Sequence, residues 1–137
     1  MKKMILLLLT LVTISACQSQ PDVTGEVVTI EGGSYKNISA GELNSMFKNK
    51  DFILVNVHIP FAGDIPNTDV SIPFDQITES SYLSQLPTDK NAKIVLYCRS
   101  GRMSQIASEK LVGLGYANIW NLRGGMDEWE QSGYDLK

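Results

Sequence analysis

Cysteine is scarce in this chain, with only Cys17 and Cys98 among 137 residues. A Cys-x-x-Cys redox pair is therefore absent, and two cysteines so placed build no disulfide framework. Histidine is scarcer still: His58 stands alone, and Asp64, Asp75 and Glu79 lack the spacing of metal ligands, so neither a metal nor a cofactor is expected. No run or stripe of basic residues interleaved with aromatics occurs, which argues against nucleic acid as a partner. Internal repeats and low-complexity segments are missing, and the length suits one domain.

Long apolar runs are also missing. The one at the start, Met4 to Leu9 and on to Val12 with threonine interruptions, is too short for a bilayer span of ~20 residues. It follows Lys2 and Lys3 and ends in Ser15-Ala16, the charged start and small-residue exit of a secretory signal peptide. Ile14-Ser15-Ala16-Cys17 resembles the lipobox of bacterial lipoproteins. That resemblance implies a signal peptide over 1–16, an acylated Cys17 as mature N-terminus and a polar tether over 17–34. Gln18 rather than Asp would favour the outer membrane, facing the periplasm, in a Gram-negative cell. In a Gram-positive cell the anchor would be at the outer face of the cell membrane. Removing Lys2 and Lys3 from 12 basic residues leaves 10 against 15 acidic, about −5, so attachment would come from lipid and not from a basic surface. With Cys17 capped, Cys98 is the one thiol of the exported part, a candidate reactive group.

The remaining chain alternates strand and helix signals. Glu26 to Ile30 reads as a short strand or the end of the tether, broken by Gly32-Gly33-Ser34, and the domain is placed at 35–137. Ser39 and Glu42 have capping-box spacing before Leu43, Met46 and Phe47. Phe52 to Val57 and Lys93 to Tyr97 are near-continuous apolar runs, as in strands buried on both faces. Val70 to Ile72 and Asn118 to Leu122 are shorter strands; 80–86, 104–114 and 126–131 read as helices, with Gly115 a C-terminal stop. Alternation of this kind predicts a three-layer α/β/α fold around a parallel sheet.

Ligands of such sheets bind at the carboxyl ends of strands, and Cys98 ends one. The segment after it, Arg99-Ser100-Gly101-Arg102-Met103-Ser104, is short enough to curl its backbone N–H groups around the sulfur, with Gly101 supplying freedom and Ser104 capping the helix. Those amides, the helix dipole and the two arginines favour the thiolate and an incoming or leaving anion. A thiolate so held can take sulfane sulfur as a persulfide and yield it to a second nucleophile, with no histidine or carboxylate base.

Three segments together resemble the rhodanese domain: Leu54-Val55-Asn56-Val57-His58-Ile59-Pro60, Leu96-Tyr97-Cys98-Arg99-Ser100-Gly101-Arg102, and Leu122 to Trp129 with Gly133 behind. The resemblance implies a rhodanese-like fold with a five-stranded parallel sheet, Cys98 as catalytic residue, and residues Arg99, Ser100, Gly101, Arg102, Met103 and Ser104 around the substrate. The pattern Cys-x-x-Gly-Arg-x-Ser is similar to that of small exported rhodaneses, which implies thiosulfate as donor and cyanide, a thiol or an envelope thiol protein as acceptor. Departures from the family are Met103 at a loop position where many relatives carry Arg, and Asn56 and His58 where relatives read Asp-x-Arg. The second departure implies that a charged brace is missing or replaced by a neutral hydrogen bond. Gly63-Asp64-Ile65-Pro66, in place of the customary Gly-His-Ile-Pro, reads as local and harmless.

The plainer readings are that His58 hydrogen-bonds within its loop, that Trp120 and Trp129 are core, and that Gly124-Gly125 forms a tight turn. A phosphatase or arsenate reductase would need Cys-x5-Arg, and Ser104 occupies that arginine position. The alternative to turnover is a persulfide carrier or interaction module in the cell envelope.

Overall fold

The computed structural model describes residues 22–137. The expected signal peptide, Cys17 and the tether through residue 21 lie outside the described residues. Within them, no helix is long and apolar enough to cross a membrane.

The elements run β1 (Glu26–Ile30), β2 (Gly33–Ile38), α1 (Ala40–Met46), β3 (Ile53–Asn56), β4 (Val70–Ser71), α2 (Ser80–Leu83), β5 (Ile94–Tyr97), α3 (Arg102–Gly113), β6 (Ile119–Leu122) and α4 (Gly125–Gln131). They form one six-stranded sheet in the order β1-β2-β6-β5-β3-β4. All neighbours are parallel except β1 and β2. The five parallel strands expected from the sequence are thus joined by a sixth, antiparallel one. Its cause is local: Ile30 pairs with Gly33 across a two-residue turn in which Gly32 has φ 88°. An antiparallel partner needs only such a turn, whereas a parallel one needs a crossover of a dozen residues or so. The glycines that look like a break in the sequence turn a hairpin, and the sheet begins upstream of Tyr35.

Period-two alternation divides the buried strands between two cores. Along β5, Ile94 and Leu96, then Cys98, join a cluster with Val55, Val57, Ile72, Ala107 and Leu111, against α3. Val95 and Tyr97 face the other way, into a cluster with Leu43, Leu54, Trp120, Leu122, Met126 and Trp129, against α1 and α4. Trp120 and Trp129 are core residues. Each wholly buried Leu or Ile contributes about 1.5–3 kcal/mol, so both faces of the sheet are held mainly by these contacts.

Two helix ends, the start of α1 and the end of α3, follow their sequence signals closely. Ser39 and Glu42 form a complete capping box, Glu42 N–H donating to Ser39 Oγ at 3.2 Å and Ser39 N–H to Glu42 Oε2 at 2.7 Å. Gly115, at φ 88°, ends α3 with N–H bonds from Gly115 to Val112 O and from Tyr116 to Leu111 O. The helix α2 is shorter than the expected 80–86: past Leu83 the chain tightens into i→i+3 bonds, Gln85 N–H to Tyr82 O and Leu86 N–H to Leu83 O, and Leu86 turns into the core ahead of Pro87. The start of α3 is earlier than expected, at Arg102, with Gly101 in the cap position at φ 101°. Ser104 is therefore the third residue of α3 and not its cap.

Candidate active site

Two adjacent parallel strands deliver the site. Asn56 of β3 pairs with Tyr97 of β5, and Val57 N–H continues the ladder to Tyr97 O at 2.8 Å. Cys98 and the segment after Val57 thus leave the sheet side by side at its carboxyl edge. Cys98 is 1% exposed. Its Sγ accepts a hydrogen bond from Gly101 N–H at 3.0 Å, and Ser104 Oγ lies 3.5 Å away. One backbone amide, rather than a succession of them, is bonded to the sulfur among the described residues. The amino end of the twelve-residue α3 lies behind it, where peptide dipoles favour negative charge.

The Ser104 hydroxyl also lies 3.1 Å from Gly101 O. It has a single hydrogen, which can go to the carbonyl or to the sulfur but not to both. A negatively charged sulfur is the stronger acceptor and would draw that hydrogen to itself.

The loop is clamped from below by the turn into α4. Met126 N–H donates to Cys98 O and Asp127 N–H to Arg99 O, each at 2.9 Å. Such close approach requires glycine twice. A β-carbon on Gly125, at φ 60°, would overlap the carbonyl oxygens of Cys98 and Arg99, and one on Gly101 would overlap Arg123 O. The Gly124-Gly125 pair is thus the seat of the Cys98 loop as well as a tight turn.

Three of the remaining loop residues, Arg99, Ser100 and Arg102, face outward. Arg99 is exposed and pairs with Asp127, Nε to Oδ1 at 3.4 Å. Ser100 and Arg102 are exposed, and Arg102 makes no ion pair with any described residue. Met103 is half-buried against the cluster that contains Cys98. A cleft of about 190 Å³ adjoins the loop, lined by Ala62, Arg99, Met126, Asp127, Glu130 and Leu136. Among the described residues no group of His, Cys, Asp and Glu could hold a metal ion.

The brace beneath the loop is neutral at Asn56. The Asn56 amide donates to Gly63 O at 3.0 Å and to Asp64 Oδ1 at 2.9 Å, and its oxygen accepts from His58 N–H at 3.0 Å. Asp64 is not the bystander its sequence context suggests. Its Oδ1 also accepts from Tyr97 Oη at 3.1 Å, and Tyr97 Oη meets Thr68 Oγ1 at 2.7 Å and Ile65 N–H at 3.1 Å. Asp64 therefore couples the residue before Cys98 to the residue that fixes His58. Burial is the main reason the Tyr97 phenol is pushed far above its ordinary range. A tyrosine ending an otherwise apolar buried strand signals such a network, because its hydroxyl must find partners.

His58 Nδ1 is buried without a hydrogen-bond partner among the described residues. Burial of the ring, then the Arg99 guanidinium, hold its pKa below the usual histidine value, with Asp127 opposing them.

A family model described as the rhodanese-like domain matches residues 39–132. The chain belongs to the rhodanese-like domain family. This rhodanese-like domain is 31% identical over 112 residues to a putative mitochondrial thiosulfate sulfurtransferase of Schizosaccharomyces pombe, covering 69% of this chain and 79% of that protein. It is 34% identical over 90 residues to a sulfurtransferase of Allochromatium vinosum, covering 64% and 79%. An adenylyltransferase and sulfurtransferase of Meyerozyma guilliermondii is 29% identical over 100 residues, but this chain spans only 23% of its length. Among solved structures, a rhodanese-related protein from Thermoplasma volcanium superposes with a TM-score of 0.62 at 30% identity, covering 75% of this chain and 98% of that one.

Proposed function

We propose that this domain is a sulfurtransferase: Cys98 takes sulfane sulfur from thiosulfate or a similar donor and passes it to cyanide or a thiol. The observation that carries this is the Cys98 sulfur itself, bonded to Gly101 N–H at 3.0 Å before the amino end of α3. In the first step the Cys98 thiolate attacks the outer sulfur of thiosulfate. The sulfur–sulfur bond breaks, sulfite leaves with the electron pair, and Cys98 keeps the transferred atom as a persulfide anion. Cyanide or a thiolate then attacks that outer sulfur, and the Cys98 thiolate is the leaving group. Relatives named sulfurtransferase at about 30% identity support the reading.

Thiocyanate formation from thiosulfate and cyanide is the direct test. Wild type should turn over many times, and Cys98→Ser should be inactive. A second reading, a carrier loaded once and unloaded by one envelope thiol protein, is favoured by the near-complete burial of the sulfur. It predicts stoichiometric loading without turnover on small acceptors. Either way, Cys17 is proposed to carry the lipid that places the domain at the outer membrane of a Gram-negative cell or the outer face of a Gram-positive cell membrane. The mass of the mature N-terminal peptide should then show an acylated Cys17, and an unmodified Cys17 there would refute the anchor.

A further inference from the structure

The two edges of the sheet, β4 and β1, are not alike. β4 has only two residues, Val70–Ser71, and Pro73 follows closely, so that edge offers little to another strand. β1 has five, Glu26–Ile30, in unbroken register with β2. Four of them, Val27-Val28-Thr29-Ile30, are strong strand formers, and the lysines and prolines that guard exposed edges are missing from β1. Val27 is 59% exposed, and the one charge of β1, on Glu26, is taken up by Arg123 at 3.1 Å.

Ile30 and Gly33 close the two-residue turn as a hydrogen-bonded pair, so the alternate residues Val28 and Glu26 also bond to β2, at Tyr35 and Asn37. The N–H and C=O groups of Val27 and Thr29 therefore point to the open edge. A second β1 laid antiparallel about a two-fold axis at Val28 sets Val27 of each copy opposite Thr29 of the other. Both residues present outward groups, so the two pairs form four backbone bonds together.

Charge fits the same register. Glu31 is exposed and in no ion pair among the described residues. Lys36 meets no carboxylate there either, its ammonium lying 4.5 Å from the centre of the Trp120 ring. Glu31 continues the face of Val27 and Thr29, on which Lys36 stands opposite Val27. The two-fold axis brings Glu31 opposite Gly25 of the second copy. Gly25 has no side chain, and a β-carbon on it would lie 3.2 Å from Lys36 Cβ, so the second copy's Lys36 stands directly behind. Two strand spacings, about 10 Å, separate the backbones, a gap that a glutamate and a lysine span. Symmetry makes the pair twice.

We propose that two copies of this chain join edge to edge through β1, antiparallel about Val28, with Glu31 of each paired to Lys36 of the other. Sedimentation equilibrium of the purified protein, in density-matched detergent, tests it. One strand pairing is a small interface, so the mass should be that of two chains at about 100 µM and fall toward one on dilution. Thr29→Pro removes an outward N–H without touching the bonds to β2, and should leave a single chain. Glu31→Lys and Lys36→Glu should each raise Kd about tenfold, and the double variant should return to within about threefold of wild type. A single-chain mass for wild type at every concentration overturns the proposal and leaves the edge to another protein's strand. A dimer that survives Thr29→Pro overturns it too, and a double variant no tighter than either single one overturns the pairing of Glu31 with Lys36.

Discussion

Met126 N–H donates to the carbonyl oxygen of Cys98 at 2.9 Å, so the final helix is bonded to the very residue that bears the sulfur. The contact depends on Gly125, whose left-handed backbone and missing side chain let α4 reach the loop. Gly125→Ala should cost at least about 2 kcal/mol in urea unfolding, because both the conformation and the space exclude a β-carbon. Gly113→Ala is the contrast. Its β-carbon meets nothing within 4 Å and lies in the last turn of α3, so a gain of about 0.5–1 kcal/mol is expected.

Ser104 separates catalysis from stability. Its hydroxyl lies between Gly101 O and the sulfur and can serve only one of them at a time. A hydrogen bond to a charged acceptor contributes about 1.5–3 kcal/mol, so Ser104→Ala should slow single-turnover loading of Cys98 roughly tenfold or more. The unfolding midpoint should move much less, since the carbonyl lost as a partner has a second lone pair for other donors. Equal loading rates in variant and wild type would show that the hydroxyl stays on Gly101 O.

Much of this was legible in the sequence, for identifiable reasons. The apolar runs ending at Val57 and Tyr97, the capping box at Ser39 and the stop at Gly115 are local signals, and each element lies where its signal is. The hairpin at Gly32 and the seat at Gly125 were harder, because a glycine reads alike whether it breaks a strand, turns it or admits a neighbour. Only the facing carbonyls of Cys98 and Arg99 decide the second case. Asp64 was hardest: its two side-chain partners, Asn56 and Tyr97, lie 8 and 33 residues away, and only the fold brings them together.

That network makes a prediction of its own. Tyr97→Phe removes a hydroxyl that Ile65 N–H, Thr68 and Asp64 share. The buried Ile65 N–H is left without its partner, a loss of about 1–3 kcal/mol. Chemical denaturation should show it, and hydrogen exchange should show faster exchange of the Ile65 and His58 amides, which the same network fixes. Unchanged protection at both would contradict the coupling through Asp64.

His58, as the only histidine, gives one imidazole signal to follow. Its pKa is lowered in the folded chain, so its NMR titration midpoint should fall below the free value of about 6.5. The unfolded chain then binds the proton first as pH falls. His58 has no effect on stability well above pH ~6.5, and it lowers stability progressively as pH drops through that value toward the folded pKa. Denaturation of wild type and His58→Gln at pH 7.5 and 5.5 should show the difference shifting in the variant's favour at the lower pH. A shift toward wild type would mean that the folded imidazole prefers its charged form.

Intact mass of the purified protein, before and after a sulfane donor is added, tests the central claim most directly. The account predicts a gain of one sulfur atom, about 32 Da, that is absent in Cys98→Ser and removed by cyanide or a thiol. Wild-type protein that gains no sulfur from thiosulfate, benzenethiosulfonate or polysulfide, while folded, would contradict the account and leave the domain a binding module.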